Sequence, residues 1–392
     1  MRLLVIELSH SAGTRSVLSQ ILPRMLELCE SIVYCGHNRD EWSRNIGIEA
    51  FSFGDLVRQF HKWNDSLRRR LSSSKRRDTF FWCYIERLIA AKGITHVFIP
   101  WIINQHIPRL SVPTGGMVMD LLWRHFPEDF ENGGRMDDVL LKNLKNLDVS
   151  FPVSDATRSE LISAFGLNDL KIVTVPHGAS FTKTKCLSRR ETTLSERPFF
   201  LYPAQTTANK NHLCLFEAVN ILFNQGIPVR VVLTSKSISR IRKRQPESTY
   251  ESGLVDWMND HPYLLNQHIE LKGEVSWLEL DHLYASCQAV VLPSLYEGFG
   301  LPLVEAFERN VAVVCSGIAP FREQIDRYKM NDIVHLVDPI TPDRLASAMA
   351  ASSSHDSEGL YLSENELISK LSAWSWDDAA VAYRDSLLGI SR

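Results

Sequence analysis

Short apolar runs alternate with helix-length amphipathic stretches from one end of the chain to the other. The runs Leu3–Leu8, Ser31–Cys35, Thr95–Trp101, Met117–Met119, Val149–Val153 and Lys171–Pro176 predict strands in the first half. Phe199–Tyr202, Pro228–Leu233, Ala289–Leu292, Val311–Val314 and Ile333–Val337 predict strands in the second. Several are continuously apolar rather than alternating, as in Ala289-Val290-Val291-Leu292. Strands buried on both faces have that pattern, and they belong to parallel sheets covered by helices. Amphipathic segments such as Asp155–Phe165 and His212–Phe223 predict the intervening helices, and Trp374–Leu388 predicts a last one. Strand–helix alternation sustained over this length predicts a doubly wound α/β architecture.

At 392 residues the chain exceeds one ordinary core, so two domains are expected. The clearest break is 179–197, which is polar, lacks periodicity and follows a strand ending in Pro176-His177-Gly178. It separates a first Rossmann-like domain over 1–180 from a second over 198–372.

Composition narrows the partners. Apolar content of 44% and charged content of 23% are those of a globular protein, and a net charge of −3 gives no global attraction to nucleic acid. The seven cysteines (29, 35, 83, 186, 214, 287, 315) form no Cys-x-x-Cys or Cys/His cluster. Disulfide scaffolds and zinc sites both need tighter spacing, so reduced, mostly buried thiols in a cytoplasmic protein are expected. The apolar start of the chain ends at Glu7 and Ser9, too short for a signal peptide, and no run of about 20 apolar residues follows. The expectation is a protein that is neither secreted nor membrane-spanning.

The most informative segment is Val290–Asn310. An apolar strand ends at Leu292, a loop carries Gly298 and Gly300, and Pro302 suits the first turn of a helix because its missing N–H is not needed there. Free N–H groups at a helix start and the helix dipole make an anion site suited to phosphate. Glu297 sits in the loop and Glu305 about one turn into the helix, so both carboxylates can address one ligand. A carboxylate accepts hydrogen bonds from two hydroxyls, which suits the diols of ribose or of a hexose.

Glu297 and Glu305, within Glu297-Gly298-Phe299-Gly300-Leu301-Pro302-Leu303-Val304-Glu305-Ala306, resemble the E-x7-E signature of the large retaining glycosyltransferase family with the GT-B fold. Further stretches resemble it in order over roughly residues 115–385. Tyr202–His212 is similar to the loop in which a lysine, here Lys210, holds the donor diphosphate. Val153–Arg158 followed by Val175–Gly178 resembles the close of the first domain, and Leu271–Val275 followed by Leu278 the loop that receives the nucleobase through backbone contacts. Ala319–Glu323 and the final helix from Trp374 also fit.

The resemblance implies a GT-B fold, two Rossmann-like domains facing a central cleft, with the acceptor side first and the donor side second. It implies that residues 373–392 form a helix returning toward the first domain. Glu305 would then hold the ribose hydroxyls, Glu297 the donor sugar, and Lys210 the departing diphosphate, helped by backbone at Gly298, Phe299, Gly300 and Leu301. Val275 and Gln205 join the donor-binding set, as does Gly13 in the loop Ser9–Arg15 after the first strand. The implied activity is retaining transfer of a hexose from a nucleotide-diphosphate sugar to a glycan or lipid-linked acceptor in surface polysaccharide synthesis. GDP-mannose is the first donor expected, since Lys210-Asn211-His212 resembles a loop of bacterial mannosyltransferases, with dTDP-rhamnose or a UDP-hexose next. No cofactor and no metal are expected, because no Asp-x-Asp occurs and a lysine with a helix N-terminus can stabilise the leaving charge.

Three positions depart from the family. Ala204 and Gln205 stand where an arginine is frequent, Met119 replaces a histidine before Asp120, and one glycine stands in the first loop where two are common. Asp120 is read either as an acceptor- or sugar-positioning residue or as a helix cap or ion-pair partner. Residues 58–82 interleave Arg58, Lys62, Arg68, Arg69 and Arg70 with Phe60, Trp63, Phe81 and Trp82. They read as a peripheral contact with the inner membrane face or as a solvated stretch before a buried helix. Two alternatives to a transferase remain open: a non-catalytic nucleotide-sugar-binding partner subunit, and a GT-B epimerase.

Overall fold

The computed structural model describes residues 1–9, 12–37, 39–52, 74–103, 105–130, 133–167, 171–180, 198–352 and 362–390. The chain divides into two compact units, Met1–Leu121 with Asn132–Gly178 and Trp376–Arg392, and Leu122–Glu131 with Ala179–Ser375.

In the first unit the strands are β1 (Arg2–Ile6), β2 (Ser31–Cys35), β3 (Glu49–Phe51), β4 (His96–Ile99), β5 (Thr114–Val118) and β6 (Val149–Pro152). They form one sheet in the order β3-β2-β1-β4-β5-β6, parallel throughout. Leu3, Leu4, Val5 and Ile6 of central β1 are fully buried, as its unbroken apolar run requires. Helices such as Ala12–Leu28, Ser74–Lys92 and Gly133–Asn146 make the crossovers. Asp155–Phe165 is a helix with the predicted bounds: the Ser154 hydroxyl accepts from the Thr157 N–H at 3.0 Å, and Gly166 ends it in the left-handed region. The C-terminal helix Trp376–Leu388 packs on Ala12–Leu28, and Tyr383 stands 5.1 Å from Phe98 and 5.0 Å from Phe151, ring centre to ring centre.

The second unit repeats the arrangement with β7 (Phe200–Tyr202), β8 (Val231–Thr234), β9 (Ile269–Gly273), β10 (Ala289–Leu292), β11 (Ala312–Ser316) and β12 (Val334–Val337). The order β12-β11-β10-β7-β8-β9 is again parallel. Counted from its own first strand it is the order of the first sheet. Both units are thus doubly wound, and each reverses strand order beside its first strand, where ligands bind at the carboxyl ends.

Four expectations change. The strand expected over Met117–Met119 is β5, which runs from Thr114 and stops at Val118, and whose Gly115 and Gly116 hid its start: a Cβ at Gly115 would lie 2.5 Å from Phe151, and one at Gly116 2.6 Å from Ile102 and from Leu147. Lys171–Pro176 is not a strand. It makes one bridge to Ser150 and a few backbone bonds along β6, but Pro152 and Pro176 withhold the N–H groups a ladder needs. The last helix begins at Trp376 rather than Trp374. The loop expected over Ser9–Arg15 gives way to helix from Ala12.

Of the basic segment 58–82, residues 58–73 lie outside the described residues. Trp82 is a core residue, 6% exposed, with its Nε1–H donating to the His106 carbonyl at 3.0 Å, so it is not available to a bilayer. Cys35, Cys214, Cys287 and Cys315 are buried and in no disulfide, whereas Cys83 is exposed; Cys186 and the stretch 181–197 lie outside the described residues. Among the described residues no helix is long and apolar enough to cross a membrane.

Candidate functional site

The site of the second unit is assembled at the carboxyl ends of β10 and β7, adjacent strands of its sheet. After β10, Pro293 and Ser294 are buried and the chain turns outward through Leu295 and Tyr296 to Glu297. After β7 it runs through Gln205 to a short 3-10 turn, Ala208–Lys210. Side-chain and backbone bonds stitch the two loops together. The Leu295 N–H donates to the Asn209 carbonyl at 2.7 Å, Asn209 Nδ2 donates to the Tyr296 carbonyl at 2.9 Å, and Asn211 Nδ2 to the Pro293 carbonyl at 3.2 Å. Asn211 adopts φ 58°, a left-handed conformation asparagine tolerates, and it turns the chain into the helix His212–Asn224.

This stitching brings Lys210 Nζ to 2.5 Å from Glu297 Oε1. The side chains are 19% and 12% exposed, so the pair is shielded but open on one side. The Ser294 hydroxyl donates to the same Glu297 oxygen at 2.8 Å, and Ser316 on β11 fixes the Ser294 carbonyl at 2.5 Å. Both groups on Glu297 bond Oε1, so its other oxygen takes no side-chain bond among the described residues. The Tyr202 hydroxyl donates to the Lys210 carbonyl; burial, with the charge of Glu297 adding, pushes that phenol well above its usual range, so it stays a donor.

Gly298 and Phe299 are buried, and Gly300 stands at φ 91° before the helix Leu301–Glu308, which has Pro302 in its first turn and no side chain capping it. Pro302 has no N–H and the Leu303 N–H donates to the Gly300 carbonyl at 3.0 Å, so the loop ends on the Gly300 and Leu301 N–H groups, which have no intrahelical acceptor, an arrangement that favours an anion. A Cβ at Gly300 would lie 2.4 Å from the Phe321 ring. Gly300→Ala is accordingly expected to cost about 2 kcal/mol through both the clash and the positive φ, read as a lowered thermal midpoint with weakened anion affinity.

Glu305 lies on that helix, half-buried, with its Oε2 accepting from the Tyr284 hydroxyl at 2.9 Å. The sequence therefore placed Lys210, Glu297, Gly298, Phe299, Gly300, Leu301 and Glu305 in one region of the second unit. Gln205 is exposed, and its Oε1 accepts from the Ser237 N–H at 3.3 Å, tying β7's loop to the helix Lys236–Arg242 after β8. Val275 is half-buried after β9. Asp120, just beyond β5, and Gly13, in the first turn of the helix after β1, belong to the first unit.

Sequence reasoning missed several members. Ser294, Tyr284 and Arg309 were not singled out, nor was His125, whose ring stacks on Tyr296 with centres 4.1 Å apart and planes at 28°. His125 belongs to Leu122–Glu131, which clusters with the second unit. On the same segment the Asp129 carboxyl is pushed above its ordinary range by partial burial and Glu128, opposed by a bond from the Ala208 backbone. Only the four-residue spacing of Glu305 and Arg309 could have signalled any of these pairings.

Comparison with known proteins gives this geometry a family. Residues 186–365 match the family model "Glycosyl transferases group 1". O-antigen chain mannosyltransferase B of Escherichia coli is 28% identical over 234 residues, covering 57% of this chain and 56% of that protein. The MMP alpha-(1->4)-mannosyltransferase of Mycolicibacterium hassiacum is 22% identical over 228 residues, 58% of this chain and 51% of that one. The chain thus spans about half the length of these curated relatives. Anabaena HepE, solved in complex with UDP and glucose, superposes over 100% of both chains with TM-score 0.69 at 13% identity, a likeness of fold. The two doubly wound sheets make the GT-B fold, and the domain that carries Lys210, Glu297 and Glu305 matches the group 1 glycosyl transferases.

Proposed function

We propose that the chain is a retaining, metal-independent glycosyltransferase that moves a hexose from a nucleotide-diphosphate sugar to a glycan or lipid-linked acceptor in surface polysaccharide synthesis. The reading is carried by one observation: Lys210 Nζ rests 2.5 Å from Glu297 Oε1 beside an uncapped helix start. A departing nucleoside diphosphate concentrates negative charge on its phosphate oxygens. A fixed ammonium and aligned N–H groups in a shielded site stabilise that charge without reorganising during the reaction. Glu297 meanwhile presents an oxygen for a sugar hydroxyl, and Glu305 one for the ribose. Lys210 and the helix start together supply the positive charge a divalent ion would otherwise bring. Asp120 of the first unit is assigned to acceptor or sugar positioning.

Both curated relatives above are named as mannosyltransferases, one of them of an O-antigen chain, which favours mannose as the sugar and a glycan chain as acceptor. GDP-mannose is therefore the first donor, ahead of dTDP-rhamnose and UDP-hexoses. The free, largely buried thiols favour a cytoplasmic setting.

Thermal unfolding with UDP, GDP, dTDP and ADP and their sugar conjugates, with and without EDTA, tests the reading. A ligand at 100 times its Kd stabilises the native state by about 2.7 kcal/mol. A rise for one nucleotide, insensitive to EDTA and smaller in Glu305→Ala, is expected, as is a glycoside that keeps the donor's anomeric configuration. No rise with any of them at millimolar concentration would refute it.

A further inference from the structure

Behind Glu305 lies a cluster that phosphate and sugar binding leave unexplained. Tyr284, on the helix Trp277–Ser286, is fully buried and points its hydroxyl at Glu305 Oε2. Arg309 follows one turn after Glu305. Its guanidinium lies 4.6 Å from the Tyr284 ring centre, Nη1 donates to the Glu305 main-chain carbonyl at 2.8 Å, and Nε donates to Asp281 Oδ1 at 3.1 Å. The Arg309 side chain is 4% exposed, and Glu308 stands 3.6 Å away. Taking a guanidinium out of water is costly, and it persists only where its donors are satisfied; here they are spent on the backbone, the ring and the carboxylates surrounding Glu305. Among the described residues Tyr284 is the one side chain that donates to this carboxylate, and it does so at Oε2.

The geometry points to Tyr284 and Arg309 as positioning residues that lock Glu305 with Oε2 held from behind and Oε1 presented to a 2′-hydroxyl, so that the site selects ribonucleoside over 2′-deoxyribonucleoside diphosphates. This rests on the donor-site reading above and sharpens it, ranking GDP- and UDP-sugars over dTDP-sugars. Without the Tyr284 hydroxyl the carboxylate is free to rotate and to be solvated, and a rotating acceptor cannot discriminate one missing hydroxyl. A hydrogen bond from a hydroxyl to a charged group is worth about a 10- to 100-fold change in affinity.

Calorimetric titration with GDP and UDP against their 2′-deoxy counterparts tests this in the full chain, in Tyr284→Phe, Glu305→Ala and the double variant. Tyr284→Phe removes one buried oxygen without changing the ring, so the fold is kept. The wild type is expected to prefer the ribo form by about 10-fold or more. Both single variants lose most of that ratio, and the double variant loses no more than Glu305→Ala alone, because Tyr284 acts through Glu305. A merely structural tyrosine would weaken both ligands equally and leave the ratio intact, which would overturn the proposal. Equal binding of ribo and deoxy forms by the wild type would overturn it too, leaving the donor site standing. Binding of neither would remove the donor-site reading itself.

Discussion

Lys210→Met is expected to lower the rate of sugar transfer about 10²- to 10³-fold, the usual consequence of deleting one preorganised donor at a centre of developing charge. The same change strands Glu297, whose Oε1 now meets only the Ser294 hydroxyl. Losing one partner of a shielded pair leaves a charge without compensation, and stability falls with the rate, by about 2 kcal/mol for a pair this exposed. Lys210→Met/Glu297→Gln separates the two effects. The double variant has no stranded charge, so its thermal midpoint recovers toward the wild type while its turnover stays low. If the double variant remained as unstable as Lys210→Met, the pair would owe its cost to packing. If Lys210→Met transferred sugar at the wild-type rate, Lys210 would have no part in the departure of the diphosphate.

Acid is expected to unfold this protein well above the range where carboxylates titrate. Burial lowers the His177 imidazole to about 3, and burial with the nearby Lys210 charge lowers His212 to about 3, from an ordinary 6.5. Between those values the unfolded chain binds protons that the native chain refuses. Stability is therefore full above about pH 6.5 and declines as pH falls toward 3. At pH 5 each histidine withdraws about 2 kcal/mol, a large share of an ordinary domain's margin. His177 belongs to the first unit and stacks on Trp376 with ring centres 5.3 Å apart; His212 belongs to the second and lies 4.7 Å from the Tyr202 ring. Urea unfolding at pH 7.5 and pH 5, with hydrogen exchange reporting each unit, should show both weakening. His177→Phe keeps the ring against Trp376 and should spare the first unit alone. Equal stability at the two pH values would refute the account.

The central strands were legible because burial on both faces leaves an unbroken apolar run, as at Ala289–Leu292. Two of the four edge strands were not. Glu49–Phe51 and Ile269–Gly273 sit at the outer limits of the two sheets, where one side meets no neighbour and charged residues such as Glu49, Glu270 and Lys272 are admitted. Neither strand was foreseen. Within the site, residues whose chemistry is local to a loop or a helix start were legible, because Glu297, Gly300, Pro302 and Glu305 follow one another in sequence. Tyr284, Ser294 and Arg309 matter through what they touch. Tyr284 reaches Glu305 from a different helix, and no periodicity announces such a contact. Trp82 failed in the opposite direction, for an aromatic after a basic run reads as surface until its Nε1–H is seen bonded inside the core.

The C-terminal helix has a consequence for biosynthesis. Tyr383 is fully buried against Phe98 and Phe151, its hydroxyl reaching the Val175 carbonyl at 3.4 Å, and the Leu387 side chain fills the space over Gly115. Chains emerge from the ribosome N-terminus first and tend to fold domain by domain, yet the unit that emerges first lacks this helix until translation has passed residue 388. The whole of Ala179–Ser375 is made in the interval. The first unit must wait with an apolar face uncovered, and of the two units the one begun earlier is completed later.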